Sequence, residues 1–230
     1  VDSRIASRDD ADNGDEFIGK LDEMKIYRSA LTGDQIKVEY NRGLQAQMGA
    51  LSTDSSGNPS NSANDSYCPP GQGSACVGPI HHWNMNENTG ATIYDLGSDK
   101  ANGTFGAVNA VWSPGVKGSA ITLNTTNDDV TIGDANVNGL TAASIDAWVK
   151  RTVTGTDVLI GEENVGARTG FLFEWYSDNY MYCQAHTGSA YANIRYNGIN
   201  DLLWHHVACV YDGSQAAGDR MKIYVDGILR

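Results

Sequence analysis

Short runs of alternating hydrophobic and polar residues recur along most of this chain, separated by Gly, Asn and Asp. A period of two is typical of strands with one buried face, and frequent turn residues favour short connections. Strands are predicted at residues 80–85, 120–123, 130–132, 144–151, 158–161, 171–175, 180–185, 192–196, 205–211 and 221–229. Their number and spacing predict an all-β fold, a two-sheet jelly-roll sandwich.

A further strand is predicted near the start of the chain, at residues 17–27, and one short helix follows it. The apolar side chains that this strand offers for burial are Phe17, Ile18, Leu21, Met24 and Ile26. Thr32, with Gln35 three residues later, has the pattern of a capping box, and Gly43 is a natural helix stop. A helix this short is marginal in water by itself, so we expect it to dock on the sandwich.

Composition divides the chain into three parts. Residues 1–48 hold this closing strand and helix, residues 49–79 form a linker rich in Ser, Asn and Gly, and residues 80–230 form the main body. The stretch from 49 to 66 has too few apolar side chains to fold independently. A coil of about 18 residues spans roughly 20 Å on average and more when extended. That reach permits the first part to complete its own sandwich or a neighbouring one.

Charge and composition exclude several classes of partner. The 230 residues carry a formal net charge of −12, so nucleic acid and anionic membrane surfaces would repel the protein. No apolar run approaches the roughly 20 residues that a membrane helix needs, and we therefore predict no membrane insertion. Cations and neutral glycans remain as candidate ligands.

The four cysteines form an even number. Cys68 and Cys76 flank a tight Pro-Pro-Gly-Gln-Gly loop, which a disulfide closes easily. Cys183 and Cys209 lie in two predicted strands that a meander would place side by side. Two disulfides predict an oxidising, extracellular or cell-surface setting, and the alternative is buried free thiols in a reduced protein.

Five sequence motifs stand in an unusual order. They are FIGKLDEMKIYRSAL at 17–31, HWNMNE at 82–87, SIDAWVK at 144–150, WHHVACVYDG at 204–213 and MKIYVDGILR at 221–230. Together they resemble the laminin-G-like branch of the concanavalin A-like lectin/glucanase superfamily. In that family the first of these motifs, with its helix, comes last along the chain. The resemblance covers residues 1–43 and about 80–230, and it implies a concanavalin A-like sandwich in permuted or repeat-shifted order.

Because of the shifted order, we expect each end of the chain to carry a strand that lacks its usual neighbour. An open strand edge exposes unpaired amides and carbonyls, so we expect its missing partner to come from the chain's own start or from another copy. We prefer a head-to-tail filament or tandem array in which residues 17–43 complete the neighbouring sandwich. In one variant the chain is a single period of a longer repeat protein. The predicted partners are thus other copies of the chain.

The glucanases of the superfamily raise the question of catalysis. They carry Glu-x-Asp-x-(x)-Glu on one strand, which presents two carboxylates on one face. Here Glu162 and Glu163 are adjacent, as are Asp128 and Asp129, so a strand would point each pair to opposite faces. The resemblance makes the histidines of WHHVA scaffold residues. We therefore predict that the protein is not an enzyme.

The resemblance also implies a structural calcium ion. Residues 94–104, YDLGSDKANGT, resemble the family's Asp- and Gly-rich loop, and by position the ligands would be Asp95, Asn102 and Asp22. Oxygen ligands from a flexible loop suit calcium. Lys100 departs from the pattern by placing a cation inside the loop. The alternative is a loop of Asx turns without a metal.

A glycan site is the last prediction. Aromatic faces stack on sugar rings, and Trp175 and Tyr180 are candidate contacts on the strands that would line the concave sheet. The sequence therefore predicts a non-catalytic extracellular adhesion or structural module that assembles head to tail. The alternative is a monomeric, calcium-dependent, lectin-like carbohydrate-binding module. A third hypothesis, a glycoside hydrolase acting through Glu162 or Glu163, is not expected.

Overall fold

A computed structural model describes residues 3–7, 16–43, 51–53, 59–61, 78–106, 111–125, 128–133, 139–152, 155–164, 169–176, 178–187 and 190–230. The strands in chain order are β1 (Ser3–Ile5), β2 (Gly19–Tyr27), β3 (Leu51–Thr53), β4 (Pro59–Asn61), β5 (His81–Trp83), β6 (Thr92–Ile93), β7 (Gly103–Phe105), β8 (Val111–Pro114), β9 (Ser119–Leu123), β10 (Val130–Gly133), β11 (Ala142–Arg151), β12 (Asp157–Asn164), β13 (Thr169–Trp175), β14 (Met181–Thr187), β15 (Ala190–Tyr196), β16 (His205–Asp212), β17 (Met221–Val225) and β18 (Ile228–Leu229). The helix α1 (Gly33–Gly43) follows β2.

The strands form two large antiparallel sheets. Sheet A has the order β15-β14-β13-β12-β1-β10-β7-β6, and sheet B has the order β18-β17-β16-β11-β2-β9-β8 with β5 also paired to β2. A single hydrophobic cluster with members from both sheets fills the core. The predicted all-β, two-sheet sandwich is confirmed. The strands β3 and β4 pair with each other inside the predicted linker, where composition alone indicated only coil.

Residues 17–43, called the closing segment below, complete the sandwich of their own chain in this structure. Strand β2 lies inside sheet B, paired to β11 on one side and to β9 and β5 on the other. Phe17, Leu21, Met24 and Ile26 are fully buried in the core cluster, whereas Ile18 is only half-buried. The closing segment is therefore a central part of the sheet.

A bulge in β2 changes which side chains face the core. The register against β11 shifts between Asp146 and Trp148, and Glu23 has a φ of 52°. An inserted residue of this kind lets Leu21 and Met24, three positions apart, both face the core. Asp22 and Glu23 are consequently buried outside that apolar cluster.

Helix α1 begins at the predicted capping box and docks on sheet B. The Thr32 amide donates to Gln35 Oε1 at 2.7 Å, and the Gln35 amide donates to Thr32 Oγ1 at 3.3 Å. Ile36 is fully buried in a second cluster with Tyr27, Leu31, Ala208, Val210 and Tyr224. The helix thus covers part of the face of sheet B that lies away from the core.

A disulfide joins Cys183 of β14 to Cys209 of β16, with the two Cα atoms 5.7 Å apart. These strands belong to opposite sheets, so the bond crosses the core. The prediction that a meander places the two strands side by side was wrong, because chain order did not reveal which sheet each strand joins. Cys68 and Cys76 lie outside the described residues. In the described part of the chain, no helix is long and apolar enough to span a membrane.

Candidate functional site

Charged residues lie buried between the closing segment and the main body. Lys25 Nζ lies 2.7 Å from Glu39 Oε2 on helix α1, and both side chains are at least nine-tenths buried. Burial by itself would lower the pKa of Lys25, but the carboxylates of Glu39, Asp146 and Glu23 outweigh burial and raise it. The lysine therefore stays charged and ties the helix to its own strand.

A second set of contacts ties Glu23 to the main body. His82 Nε2 lies 3.1 Å from Glu23 Oε2, and Lys117 Nζ lies 3.8 Å from Glu23 Oε1. Burial would raise the pKa of Glu23, but the interaction with His82 and the charges of Lys25 and Lys117 lower it. These pairs join β2 to β5 and to the turn between β8 and β9.

The loop predicted to bind calcium is held together by hydrogen bonds to Asp95. Its Oδ1 accepts the amides of His82 and Gly97, and its Oδ2 accepts the amide of Ala101. His81 Nδ1 also lies 2.7 Å from Oδ2. The carboxylate thus has four partners, which occupy its main acceptor directions.

The other two predicted metal ligands also accept backbone amides, but the Oδ1 atom of Asp22 has no hydrogen-bond partner within the described residues. Asn102 Oδ1 accepts the amide of Asp95, and Asp22 Oδ2 accepts the amides of Val116 and Lys117 at 2.7 and 2.8 Å. The described residues contain no group of three His, Cys, Asp or Glu side chains that could hold a metal ion. The hydrogen bonds of Asp95 and Asn102 are those of an Asx-turn scaffold, and the calcium ion stays a prediction.

The adjacent acidic residues Asp128 and Asp129 make structural contacts. Asp128 Oδ2 accepts the amides of Asn124 and Thr125, and Asp129 pairs with Arg4. Glu162 and Glu163 are consecutive residues of β12, and their side chains lie outside the described part.

The two adjacent histidines of β16 point to opposite faces of the strand, because side chains alternate along it. His206 is buried with Nε2 at 3.2 Å from Asp146 Oδ1. His205 lies between two carboxylates, with Nδ1 at 2.8 Å from Asp226 and Nε2 at 2.9 Å from Asp201. Partial burial works against the charged form, but these two carboxylates raise the pKa of His205.

The two predicted glycan contacts lie in different environments. Trp175 is fully buried in the core and stacks on Phe173 with 6.3 Å between ring centroids. Neither face of this indole is open to a sugar, so Trp175 is a core residue rather than a ligand contact. Tyr180 is half-buried at the turn that joins β13 to β14.

Tyr180 belongs to a surface group that we call the tyrosine cluster, which consists of Tyr176, Asp178, Tyr180, Tyr182 and Arg195. Arg195 lies over the Tyr180 ring at 4.5 Å from its centroid and donates to the Tyr182 hydroxyl at 2.9 Å. That hydroxyl donates to Asp178 Oδ2 at 3.1 Å. Tyr176 meets the Tyr182 ring edge-on at 4.9 Å.

Strand pairing builds this cluster. Tyr182 and Arg195 are register partners on β14 and β15, and Tyr176 and Asp178 follow the end of β13. Met181 and Cys183, the neighbours of Tyr182, face the core, so Tyr182 points away from it. The cluster is an exposed aromatic surface with one cation and one carboxylate, which is suited to stacking on a ring and bonding its hydroxyls.

Comparison with known proteins gives one match. The family model Laminin_G_3, described as the concanavalin A-like lectin/glucanases superfamily, matches residues 124–230. That range is laminin-G-like, and the resemblance predicted from the sequence is confirmed there. No curated protein and no solved structure matches the chain.

The laminin-G-like range contains the tyrosine cluster, the disulfide, and strand β11, beside which the closing segment lies. Laminin-G-like domains are lectin-like or adhesion modules and typically non-catalytic. Together with the disulfide, the match indicates an extracellular protein.

The sequence predicted one member of this cluster, Tyr180, but combined it with Trp175 from the inward face of β13. The spacing of Phe171, Phe173 and Trp175 carries the signal that would have corrected this, since residues two apart on a strand share a face.

Proposed function

We propose that this chain is a non-catalytic extracellular adhesion module whose copies join head to tail. In such an assembly the closing segment of one copy completes the sandwich of the next, through the contacts that complete its own sandwich here. The central place of β2 carries this proposal, because a module with this position empty would expose the edges of β11 and β9 together. The displaced motif order supports it as well.

A stable sandwich needs a strand in the position of β2, supplied either by the same chain or by another copy. Leu21, Met24, Ile26 and Ile36 are each fully buried. Removing each from water contributes about 1.5–3 kcal/mol, and ladder hydrogen bonds with β11 add to this. A segment on the same chain has an effective concentration in the millimolar range. Exchange is therefore favoured where copies are tethered or crowded, and closure within one chain is favoured in dilute solution.

Cysteine trapping in the full chain tests the exchange. Lys20 and Lys150 are register partners across β2 and β11, and both are half-buried. One preparation carries Lys20→Cys and a second carries Lys150→Cys, and the two are unfolded together, refolded at high concentration and mildly oxidised. Exchange produces a mixed disulfide dimer on a non-reducing gel, because only a segment in the other chain's sheet brings the two cysteines together.

Two controls interpret the gel. The double variant, with both cysteines on one chain, reports closure within a chain as a crosslinked monomer. A mixture of Lys37→Cys, which is exposed on helix α1, with Lys150→Cys reports random encounter. If the test mixture gives no more dimer than the random mixture while the double variant crosslinks fully, head-to-tail exchange is refuted.

A second candidate function, carbohydrate binding, is supported by the tyrosine cluster. Its three tyrosines and one arginine offer ring faces and hydrogen-bond donors at the surface. The test is a glycan array, followed by titration of any glycan retained. Tyr180→Ala and Arg195→Ala are each expected to weaken binding about tenfold, which corresponds to about 1.4 kcal/mol. The control is Arg220→Ala, because Arg220 lies in the β16–β17 connection and donates to the Gln215 carbonyl. An array without a retained glycan, or equal binding by all variants, would refute this candidate.

A further inference from the structure

The loop between β15 and β16, residues 197–204, is fastened to the sandwich through His205. Nε2 of this histidine lies 2.9 Å from Asp201 Oδ1 in the loop, and Nδ1 lies 2.8 Å from Asp226 Oδ2 in the turn between β17 and β18. The imidazole therefore lies between two carboxylates that belong to different elements. We call these three residues the histidine clamp.

Only a protonated imidazole satisfies both contacts of the histidine clamp. An ionised carboxylate can only accept a hydrogen bond, whereas a neutral imidazole has one N–H donor and one bare nitrogen that is itself an acceptor. Loss of a proton from His205 therefore leaves a nitrogen lone pair opposite a negatively charged oxygen, and one of the two contacts must open. The raised pKa of His205, which the two carboxylates cause against partial burial, agrees with this geometry.

The other elements around the ring bring no further carboxylate or cation into contact with it among the described residues. On β11 the register partner of His205 is Val149, and Arg151, two residues further along that strand, is paired with a carboxylate of β12. On β17 the last residue is Val225, which lies in the core. The Arg230 guanidinium lies over a tyrosine ring of β15. The charge of His205 is therefore balanced by the two carboxylates of the clamp.

The contact with Asp201 is the one that can open. Asp226 Oδ1 also accepts the amide of His206 at 3.0 Å, and the Asp226 amide donates to the His206 carbonyl at 2.8 Å, so this carboxylate is fixed to β16. The Asp201 side chain is more exposed, and its other hydrogen bond, from the Leu203 amide at 3.1 Å, lies within the loop itself. A neutral His205 is thus expected to keep its proton on Nδ1, facing Asp226, and to release Asp201.

The end of the loop has little else to hold it. Leu202 has a φ of 57°, a left-handed conformation that leucine rarely adopts and that relaxes when the loop is free to move. The side chains of Leu202 and Leu203 are 42% and 58% exposed, so apolar burial does not fix them. Ile199 is buried in the core cluster and anchors the beginning of the loop. Release therefore affects residues 200–203.

We propose that the histidine clamp is a pH-sensitive latch, in which protonated His205 holds residues 200–203 against the sandwich and neutral His205 releases them. The latch is closed below about pH 6.5, the ordinary pKa of histidine, and it opens as pH rises through the higher pKa of His205 in the folded protein. The mobility of a surface segment with two exposed leucines thereby depends on pH. This inference does not depend on head-to-tail assembly or on glycan binding by the tyrosine cluster.

Nuclear magnetic resonance of the full chain, at pH values on both sides of the His205 titration, tests the latch. The imidazole nitrogen signals follow the charge of His205 and show which nitrogen keeps its proton. The backbone amide order parameters of Leu202 and Leu203 are expected to fall from about 0.85 to below about 0.6 as His205 becomes neutral. The Asp219 amide, which donates to the Ala216 carbonyl in the β16–β17 connection, is the internal reference and should stay constant.

Two substitutions are expected to hold the latch in opposite states. The side chain of His205→Gln has a donor only at its amide nitrogen and cannot donate to carboxylates on both sides, so the loop should be mobile at every pH. Asp201→Asn supplies an amide donor to the bare nitrogen of neutral His205 and a carbonyl acceptor for the Leu203 amide, so the loop should stay ordered above the titration. Asp212→Asn changes a carboxyl at the other end of β16, bonded by Ser214 and Gln215, and is the matched control with wild-type pH dependence.

The outcomes decide whether the latch exists. Equal order parameters for Leu202 and Leu203 on both sides of the His205 titration would overturn it. A loop that stays ordered at every pH in His205→Gln, or a loop in Asp201→Asn whose mobility still follows the charge of His205 as in wild type, would also overturn it. Should His205→Gln lose its cooperative thermal unfolding, the comparison of Asp201→Asn with wild type and with Asp212→Asn decides the question.

Discussion

Replacing Asp22 with Asn is expected to stabilise the protein increasingly as pH rises. Asp22 is fully buried, and its Oδ1 makes no hydrogen bond within the described residues. Burial first, and then the charge of Glu23, raise its pKa from 3.8 to about 8, against the lowering effect of the amides of Val116 and Lys117. The near-isosteric Asn keeps a carbonyl oxygen for those two amides and has no proton to lose.

The direction of this pH effect follows from the state, folded or unfolded, in which Asp22 keeps its proton. Between about pH 4 and pH 8 the folded protein keeps a proton on Asp22 that the unfolded chain releases. The free energy of unfolding therefore falls by about 1.4 kcal/mol for each pH unit in that window, or up to ~6 kcal/mol across it. A typical domain has only about 5–15 kcal/mol in total, so this single carboxyl has a large effect.

Urea unfolding at about pH 4.5, 6 and 7.5, without reductant, measures the effect. Relative to wild type, Asp22→Asn is expected to gain about 4 kcal/mol between the lowest and highest of these pH values. Asp34→Asn removes an exposed carboxyl from the first turn of helix α1 and is the matched control, expected to run parallel to wild type. A difference between Asp22→Asn and wild type that stays constant within about 0.5 kcal/mol would refute the reasoning.

Three further outcomes are expected. Asp201 and Asp226 raise the pKa of His205, so this residue contributes stability that is complete below about pH 6.5 and is lost as pH rises through its folded pKa. His205→Gln should abolish this pH-dependent part of the stability in thermal melts. A pH profile equal to that of wild type would contradict the assignment. Replacing Cys183 and Cys209 together with Ala should lower the free energy of unfolding by about 3.5 kcal/mol, from the loop entropy of a 26-residue separation, and a urea midpoint equal to wild type would count against this. Millimolar calcium should leave the urea midpoint unchanged, whereas a clear rise, reversed by chelator, would support the metal predicted from the sequence.

Much of the fold could be predicted from local signals. Alternation located most strands of the main body, and the Thr32 capping box located the start of helix α1. Both features depend on interactions between residues that are close together in the sequence. The motif order also indicated that residues 17–43 complete a sandwich.

The remaining features depend on contacts that alternation does not specify. Alternation predicts that the Lys25 side chain points away from the core. It does not predict that helix α1 covers that face of the sheet and places Glu39 against Lys25. It does not predict the bulge at Glu23, which changes the position of Asp22. Aromatic character favoured Trp175 as a glycan contact, although its strand parity places it in the core.

The central position of β2 has a consequence for biosynthesis. The Leu31 amide of the closing segment donates to Ser144 Oγ, which is 113 residues later in the chain. At synthesis rates of about 5–20 residues per second, the closing segment emerges from the ribosome roughly 6–20 s before β11. Of its partner strands, only β5 and β9 emerge within that interval, so one edge of β2 remains without its native partner until β11 is made. Contacts so distant in sequence also slow folding, which lengthens the time for which the β11 side of β2 is open to pairing with another copy.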